Sequence, residues 1–396
     1  MNLLTNGRVI TRDEGGKGYY EKGAVAYEGT KIVEVGEEAA LRAKYPQAEI
    51  IDAKGGVIMP AFINAHTHIY SALARGLSIV GNNPTNFYEV LDGTWWAIDR
   101  HLMMDGTRAS ATALYMDSIK QGVTTIFDHH AAYCEIPGSL FQIGESAKKF
   151  GIRSCLCYEV SDRDGEEKCL QAIKENADWI TYCEQQKDPM LAAMFGGHAL
   201  FTISDKTFDR MVEANNGRTG YHIHVSEGMN DVYDSLQNYG RRPVQRLQDH
   251  GILGEKTILG HCIHVNTAEM EIIKETGTMV VNNPESNMGN AIGICPVLQL
   301  YKRGILLGMG TDAYTNDMLE SLKVALCSQR SQNCLPNVGW CEVTDMLFKN
   351  NAKIGARYFP DQLGVLKAGA AADIIVMDYK PFTPFSDENI DGHMIF

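Results

Sequence analysis

Eight short apolar runs, each followed by a longer stretch of helical composition, leave this chain few folds to choose from. They open at Val57-Ile58-Met59 and recur at 122–128, 152–158, 191–196, 221–225, 257–261, 277–282 and 305–312. Strands joined through helical crossovers lie parallel, and eight such units close into a (β/α)8 TIM barrel. An α/β chain with its barrel over residues 58–358 is the expectation.

Both flanks have a different rhythm. Residues 1–57 break into short β-branched runs between glycines, such as Lys31-Ile32-Val33-Glu34-Val35-Gly36, and strand-and-turn chemistry returns after the barrel with Asp373-Ile374-Ile375-Val376-Met377. Residues 1–57 and 359–396 are therefore expected to build one small, β-sandwich-like domain from both chain ends. The sequence stops at His393-Met394-Ile395-Phe396, in the middle of what reads as the start of another element.

Composition narrows the function classes. A net charge of -13 argues against nucleic acid or an anionic membrane surface as partner, because phosphate contact needs concentrated Lys and Arg. The N-terminus lacks the basic start and apolar core of a signal peptide, and no apolar run is long enough to span a bilayer. The 10 cysteines form no Cys-x-x-Cys pair and follow no framework spacing, so they are expected as reduced thiols in a cytoplasmic protein. A homodimer is the base-rate expectation for assembly.

Catalytic groups of such barrels sit where strands end at the C-terminal face. The first strand ends in His66-Thr67-His68, and residues two apart on a strand face the same way, so both imidazoles can reach one point. Two such histidines could also be hydrogen-bonded core residues. Here, however, His198, His224, His261 and Asp312 end or follow later strands and converge on the same mouth, which predicts a metal site.

With these motifs the chain resembles the amidohydrolase superfamily, in its metal-dependent aminohydrolase branch of guanine, cytosine and S-adenosylhomocysteine deaminases. The likeness extends to Gly122-Val123-Thr124-Thr125, His224-Val225-Ser226-Glu227, Gly260-His261-Cys262, Asn283-Pro284-Glu285-Ser286-Asn287 and Gly310-Thr311-Asp312. Within that branch it is most similar to the SsnA-type aminohydrolases. The resemblance implies His66, His68, His224 and Asp312 as metal ligands, holding Zn²⁺ or alternatively Fe²⁺. It implies a single divalent ion, because strand four offers no lysine to bridge a second.

The implied reaction is hydrolytic deamination of an aminated heterocycle of purine, pterin or triazine type, the metal lowering the pKa of its water toward about 7 to give a bound hydroxide. Asp312 would accept a proton from that water, His261 would orient it and Glu227 would shuttle a proton to the ring and the departing amine. Ring-opening hydrolysis of a cyclic amide or ureide is the alternative, and an inactive scaffold protein the third. His198 matches the family's substrate-contacting histidine, while Ser286 and Asn287 could either bind substrate or serve local turns.

Other residues carry structural expectations. His129 and His130 should be hydrogen-bonded near the surface, His264 should be structural, and Asp162-Arg163-Asp164 should be a solvated loop. Trp95 and Trp96, in the excursion between strands one and two, should be buried against the barrel or a dimer partner, with an aromatic lid as the other reading. Two departures from the family stand out. Ala61 replaces a usual glycine, and at the C-terminus the family normally supplies a final strand that closes the small domain; a sheet without that strand would have an exposed edge.

Overall fold

The computed structural model describes residues 1–396. Asn2–Ile10, Tyr19–Glu28 and Lys31–Glu37 form an antiparallel meander. Its second hairpin closes from Glu28 to Lys31 through Gly29, whose φ of 57° costs glycine nothing sterically. Glu49–Asp52 and Val57–Pro60 pair in parallel with successive halves of the first strand, and Ile374–Met377 pairs antiparallel with Val57–Pro60. Both chain ends therefore contribute to one six-stranded sheet, with Ile374–Met377 at its edge.

The apolar run that begins at Val57 is divided between the two sheets. Val57–Pro60 stays in the small sheet, where Ile58 packs with Leu4, Val9 and Val25 while Val57 and Met59 join the main barrel core. Burial on both faces explains why the run is continuously apolar. The chain crosses over at Ala61, whose N–H donates to the Asp373 carbonyl at 3.0 Å; no positive φ is needed there, so alanine replaces glycine without strain.

Barrel strands one to three are Phe62–Thr67, Val123–His130 and Arg153–Tyr158. Strand four is broken at Met194 into Leu191–Ala193, which pairs with strand three, and Phe195–Ala199, which pairs with strand five. Strands five to eight are Tyr221–Val225, Ile258–His261, Met279–Asn282 and Leu307–Met309. All neighbours are parallel. Bridges between Val160 and Gly197 and between Thr67 and Asp312 join the two arcs into a ring.

The second seam runs through candidate site residues. The N–H groups of Thr311 and Asp312 both donate to the His66 carbonyl, at 2.9 and 3.0 Å. Gly310 permits this approach, because a Cβ there would lie 2.7 Å from the same carbonyl oxygen and 2.5 Å from Asn283 Oδ1.

The excursion between strands one and two carries short helical turns at Phe87–Val90, Leu91–Trp95 and Trp96–Asp99. It is fastened by an ion pair between the buried side chains of Asp99 and Arg163, with the guanidinium 4.1 Å from the Tyr133 ring and 5.1 Å from the Trp96 ring. This corrects the expectation of a solvated loop at 162–164. Asp162 accepts from Ser204 N and Thr207 Oγ1, both at 2.7 Å, at the start of helix Asp205–Asn215, and Asp164 pairs with Arg100 at 2.7 Å.

The last residues leave the small sheet. Ile390, Met394 and Ile395 of helix Ile390–Ile395 are buried in the main barrel core, so this end packs on the barrel rather than extending the small domain. No helix is long and apolar enough to cross a membrane, and all 10 cysteines are free thiols.

Candidate active site

Where the barrel strands end, backbone geometry turns side chains into the mouth. Ser226, His261, Cys262 and Asp312 all have positive φ, between 49° and 68°, a region costly for residues with a Cβ. Hydrogen bonds hold this geometry: Cys262 N donates to Val225 O at 3.0 Å and His264 N to Ser226 O at 2.9 Å. Asp231, buried, accepts from Ser226 N and Phe201 N and fixes the segment that carries Glu227.

The imidazole tautomers follow from their partners. His68 Nδ1 donates to the His129 carbonyl at 2.6 Å and His224 Nδ1 to the His198 carbonyl at 2.7 Å. His66 Nδ1 lies 2.8 Å from His222 Nε2, and His66 Nε2 is buried without any hydrogen-bond partner. The Nε2 atoms of His68 and His224 lie only 3.3 Å apart, and Asp312 Oδ1 lies 2.9 Å from His68 Nε2 and 3.8 Å from His66 Nε2. Converging lone pairs and a carboxylate repel unless a cation lies among them, so the donor set fits a divalent metal.

Protonation supports the same reading. Burial disfavours a proton on His68, but Asp312 and Glu159 overcome it and raise its pKa to about 9. Without metal, a proton shared with Asp312 supplies the missing positive charge. Metal must displace that proton, so affinity should fall by about tenfold per pH unit below about 9, where the imidazole is protonated. Calorimetric titration with zinc in buffers of different ionisation enthalpy should show proton release at pH 7.

Behind His66 stands His222, buried, with its Nε2 2.8 Å from His66 Nδ1. This histidine escaped the sequence analysis, although His222-Ile223-His224 repeats the spacing of His66-Thr67-His68. Outer partners of this kind orient ligands, so His222→Ala should weaken metal affinity by about 10- to 100-fold, measured by competition with a chromophoric chelator.

Two carboxyls flank His261 in opposite states. Burial, helped by the charges of Asp312, Asp231 and Glu159, pushes the Glu227 carboxyl well above its usual range. Burial would also raise Asp312, but His68, His261 and the hydroxyl of Ser286 hold it well below the carboxylate range. His261 Nε2 lies 3.6 Å from Glu227 Oε1 and 3.8 Å from Asp312 Oδ2.

Asn287 takes a different place from that expected of a substrate contact. Its Oδ1 accepts from His261 Nδ1 at 2.7 Å and its Nδ2 donates to Asn282 Oδ1 at 3.1 Å, so it sits behind His261 and fixes that ring. Ser286 and His198 do line the cavity, with His68, Tyr70, Trp96 and Glu227. Trp95, half-buried, lines it as well, so the excursion covers the mouth with buried Trp96 and partly exposed Trp95.

The expected surface position of His129 and His130 is corrected, since both are fully buried. His129 Nδ1 bonds Glu159 Oε1 at 3.0 Å, and its Nε2 lies 3.0 Å from the carbonyls of both Gly197 and His222. Strand two stays buried through its polar end, Asp128-His129-His130. His264 Nε2 donates to the Ile292 carbonyl at 2.8 Å, a structural role. Glu159, which follows strand three directly, also went unnoticed, although a carboxylate ending an apolar run is the signal that flagged Asp312.

Known proteins carry the same organisation. The model of the amidohydrolase family matches residues 57–395, and that of an imidazolonepropionase-like composite domain of bacteria matches residues 23–48. A 5'-deoxyadenosine deaminase of Methanosarcina mazei is 28% identical over 405 residues, covering 100% of this chain and 88% of its own length. A 5-methylthioadenosine/S-adenosylhomocysteine deaminase of Thermococcus sibiricus is 30% identical over 402 residues, covering 100% and 89%. Among solved structures, an adenosine deaminase from Xanthomonas campestris with bound zinc superimposes with a TM-score of 0.85 at 22% identity, covering 100% of this chain and 88% of that one. A zinc-complexed atrazine chlorohydrolase from Arthrobacter aurescens gives 0.81 at 24% identity, covering 100% and 91%.

Proposed function

The chain belongs to the amidohydrolase family, and on that footing we propose that it hydrolytically deaminates an aminated nitrogen heterocycle, with 6-aminopurine nucleosides as the first candidates. The observation that carries this reading is the pair Glu227 and Asp312, 3.6 and 3.8 Å from His261 Nε2, whose surroundings shift the first carboxyl's pKa up and the second's down. Environments that drive two titratable groups apart mark an acid and a base.

His66, His68, His224 and Asp312 would hold one divalent ion, zinc by the character of the donors, and when bound it supplies the Lewis acidity that makes water nucleophilic at neutral pH. A second ion finds no bridging lysine on strand four, and His129 has both nitrogens committed. Ionised Asp312 takes a proton from the attacking water, while His261, with its own proton on Nδ1 toward Asn287, accepts a hydrogen bond at Nε2 and aims that water. Glu227 gives its proton to the ring nitrogen beside the attacked carbon. As the tetrahedral adduct collapses, the amine leaves as ammonia with the proton held by Asp312, and the new hydroxyl returns a proton to Glu227.

The test is a panel of aminopurines and their nucleosides, pterins and triazines beside cyclic amides and ureides, with ammonia and ring absorbance followed together. Deamination releases ammonia with the ring retained. Ring opening at a carbonyl without ammonia would overturn the assignment.

A further inference from the structure

Glu159 has no task in these proton transfers, yet it is one of the most enclosed carboxylates of the molecule, 3% exposed and lining the cavity. Its Oε1 is committed to His129 Nδ1, whereas its Oε2 makes no hydrogen bond within the protein. His198 Nε2 lies 3.9 Å from Oε2.

That nitrogen is an acceptor too. The Thr202 hydroxyl gives its one proton to the Ala199 carbonyl at 2.8 Å, so at its 2.9 Å contact with His198 Nδ1 it can only accept. The His198 proton is therefore on Nδ1, and Nε2 presents a lone pair. Two unpaired acceptors thus face one cavity whose walls include Tyr70, Phe87, Trp95 and Trp96 and no lysine or arginine.

We propose that Glu159 and His198 make this cavity selective for substrates that carry a protonated amine or amidine beside the reacting ring. An ammonium group has donors for both acceptors at once and nothing to accept, and a charge-assisted hydrogen bond to a buried carboxylate is roughly twice as strong as a neutral one. Aromatic faces stabilise the same cation. An anionic substituent placed against Glu159 Oε2 and His198 Nε2 would meet two lone pairs, so the pair repels as well as attracts. Strand three supplies this selectivity directly, because Tyr158 ends it and Glu159 is the next residue.

The inference deepens the deaminase reading and rests on it, so the experiment separates the two. Adenosine analogues carrying an ammonium, methyl or carboxylate group in place of the 5'-hydroxyl, with the matching set at purine C2, are assayed for ammonia release by the zinc-loaded enzyme. Their binding is measured separately by quenching of tryptophan fluorescence, Trp96 lying 5.8 Å from His198. In at least one set the ammonium analogue should exceed the carboxylate by about tenfold or more in kcat/KM and in affinity, the scale of one charge-assisted hydrogen bond. Glu159→Gln should shrink that ratio to within about twofold, a change that a purely structural role would not produce. Equal affinity for ammonium and carboxylate in both sets of the wild-type enzyme overturns the proposal without recourse to any variant. Cation-selective binding without ammonia release would instead overturn the deaminase reading and leave the selectivity standing.

Discussion

Glu227→Gln is expected to lower kcat by about 10²- to 10⁴-fold on any substrate the enzyme deaminates, with metal content unchanged. Glutamine keeps the shape and the hydrogen-bonding reach of the side chain but has no proton to transfer. The size of the effect follows from the environment of the wild-type carboxyl. Burial and the negative charges of Asp312, Asp231 and Glu159 all favour its protonated form, the direction that the proposed role as an acid requires.

The pH profile gives the sign. Activity requires protonated Glu227, so kcat/KM should fall as pH rises through its raised pKa, and that alkaline limb should disappear in Glu227→Gln. Asp312 is held well below the usual carboxylate range, so its loss as a base should show only in strong acid. Wild-type turnover by the variant, with metal retained in elemental analysis, would remove Glu227 from the mechanism.

Removal of the divalent metal is expected to abolish ammonia release altogether, and zinc added back to the chelated protein should restore it. With the proposed ligands His66, His68, His224 and Asp312, which only folding brings together, the folded state would bind the ion far better than the unfolded chain. At a thousandfold excess of free zinc over its Kd, the gain in stability should be about 4 kcal/mol, seen as a rise in Tm on titration. Asp312→Asn should lose most of both responses, because it removes a charged donor together with the base. Full activity after exhaustive chelation would exclude a metal-dependent reaction.

The barrel was legible because its signals are periodic and local. Parallel strands covered on both faces must be apolar throughout, and helices must separate them, so eight runs could be counted along the sequence. What local pattern does not carry is the assignment of a strand to a sheet. Val57–Pro60 and Phe62–Thr67 form one continuous apolar run, and only their pairing partners divide them between the small sheet and the barrel. The C-terminal helix was equally hidden, since its apolar residues are placed by the barrel surface they cover.

At the site, strand ends pointed to His66, His68, His224, His261 and Asp312 because the sequence marks where each apolar run stops. Glu159 meets the same criterion, since it directly follows strand three, whereas His222 lies near the start of strand five and is marked only by its His-x-His spacing with His224. His222 shares its strand and face with His224, yet its nitrogen reaches His66 rather than the converging donors, a distinction set by the ring's position across the barrel. Asn287 was legible as a polar loop residue but not as the partner of His261, 26 positions away in sequence.

By itself the sequence determined which residues could reach the mouth, because side-chain alternation and strand length are properties of neighbours along the chain. Only the tertiary structure decided what each one does there. Tautomers, protonation states and the opposition between Glu227 and Asp312 are set by burial and by charges brought together from six different strands, and those distances exist only once the barrel has closed.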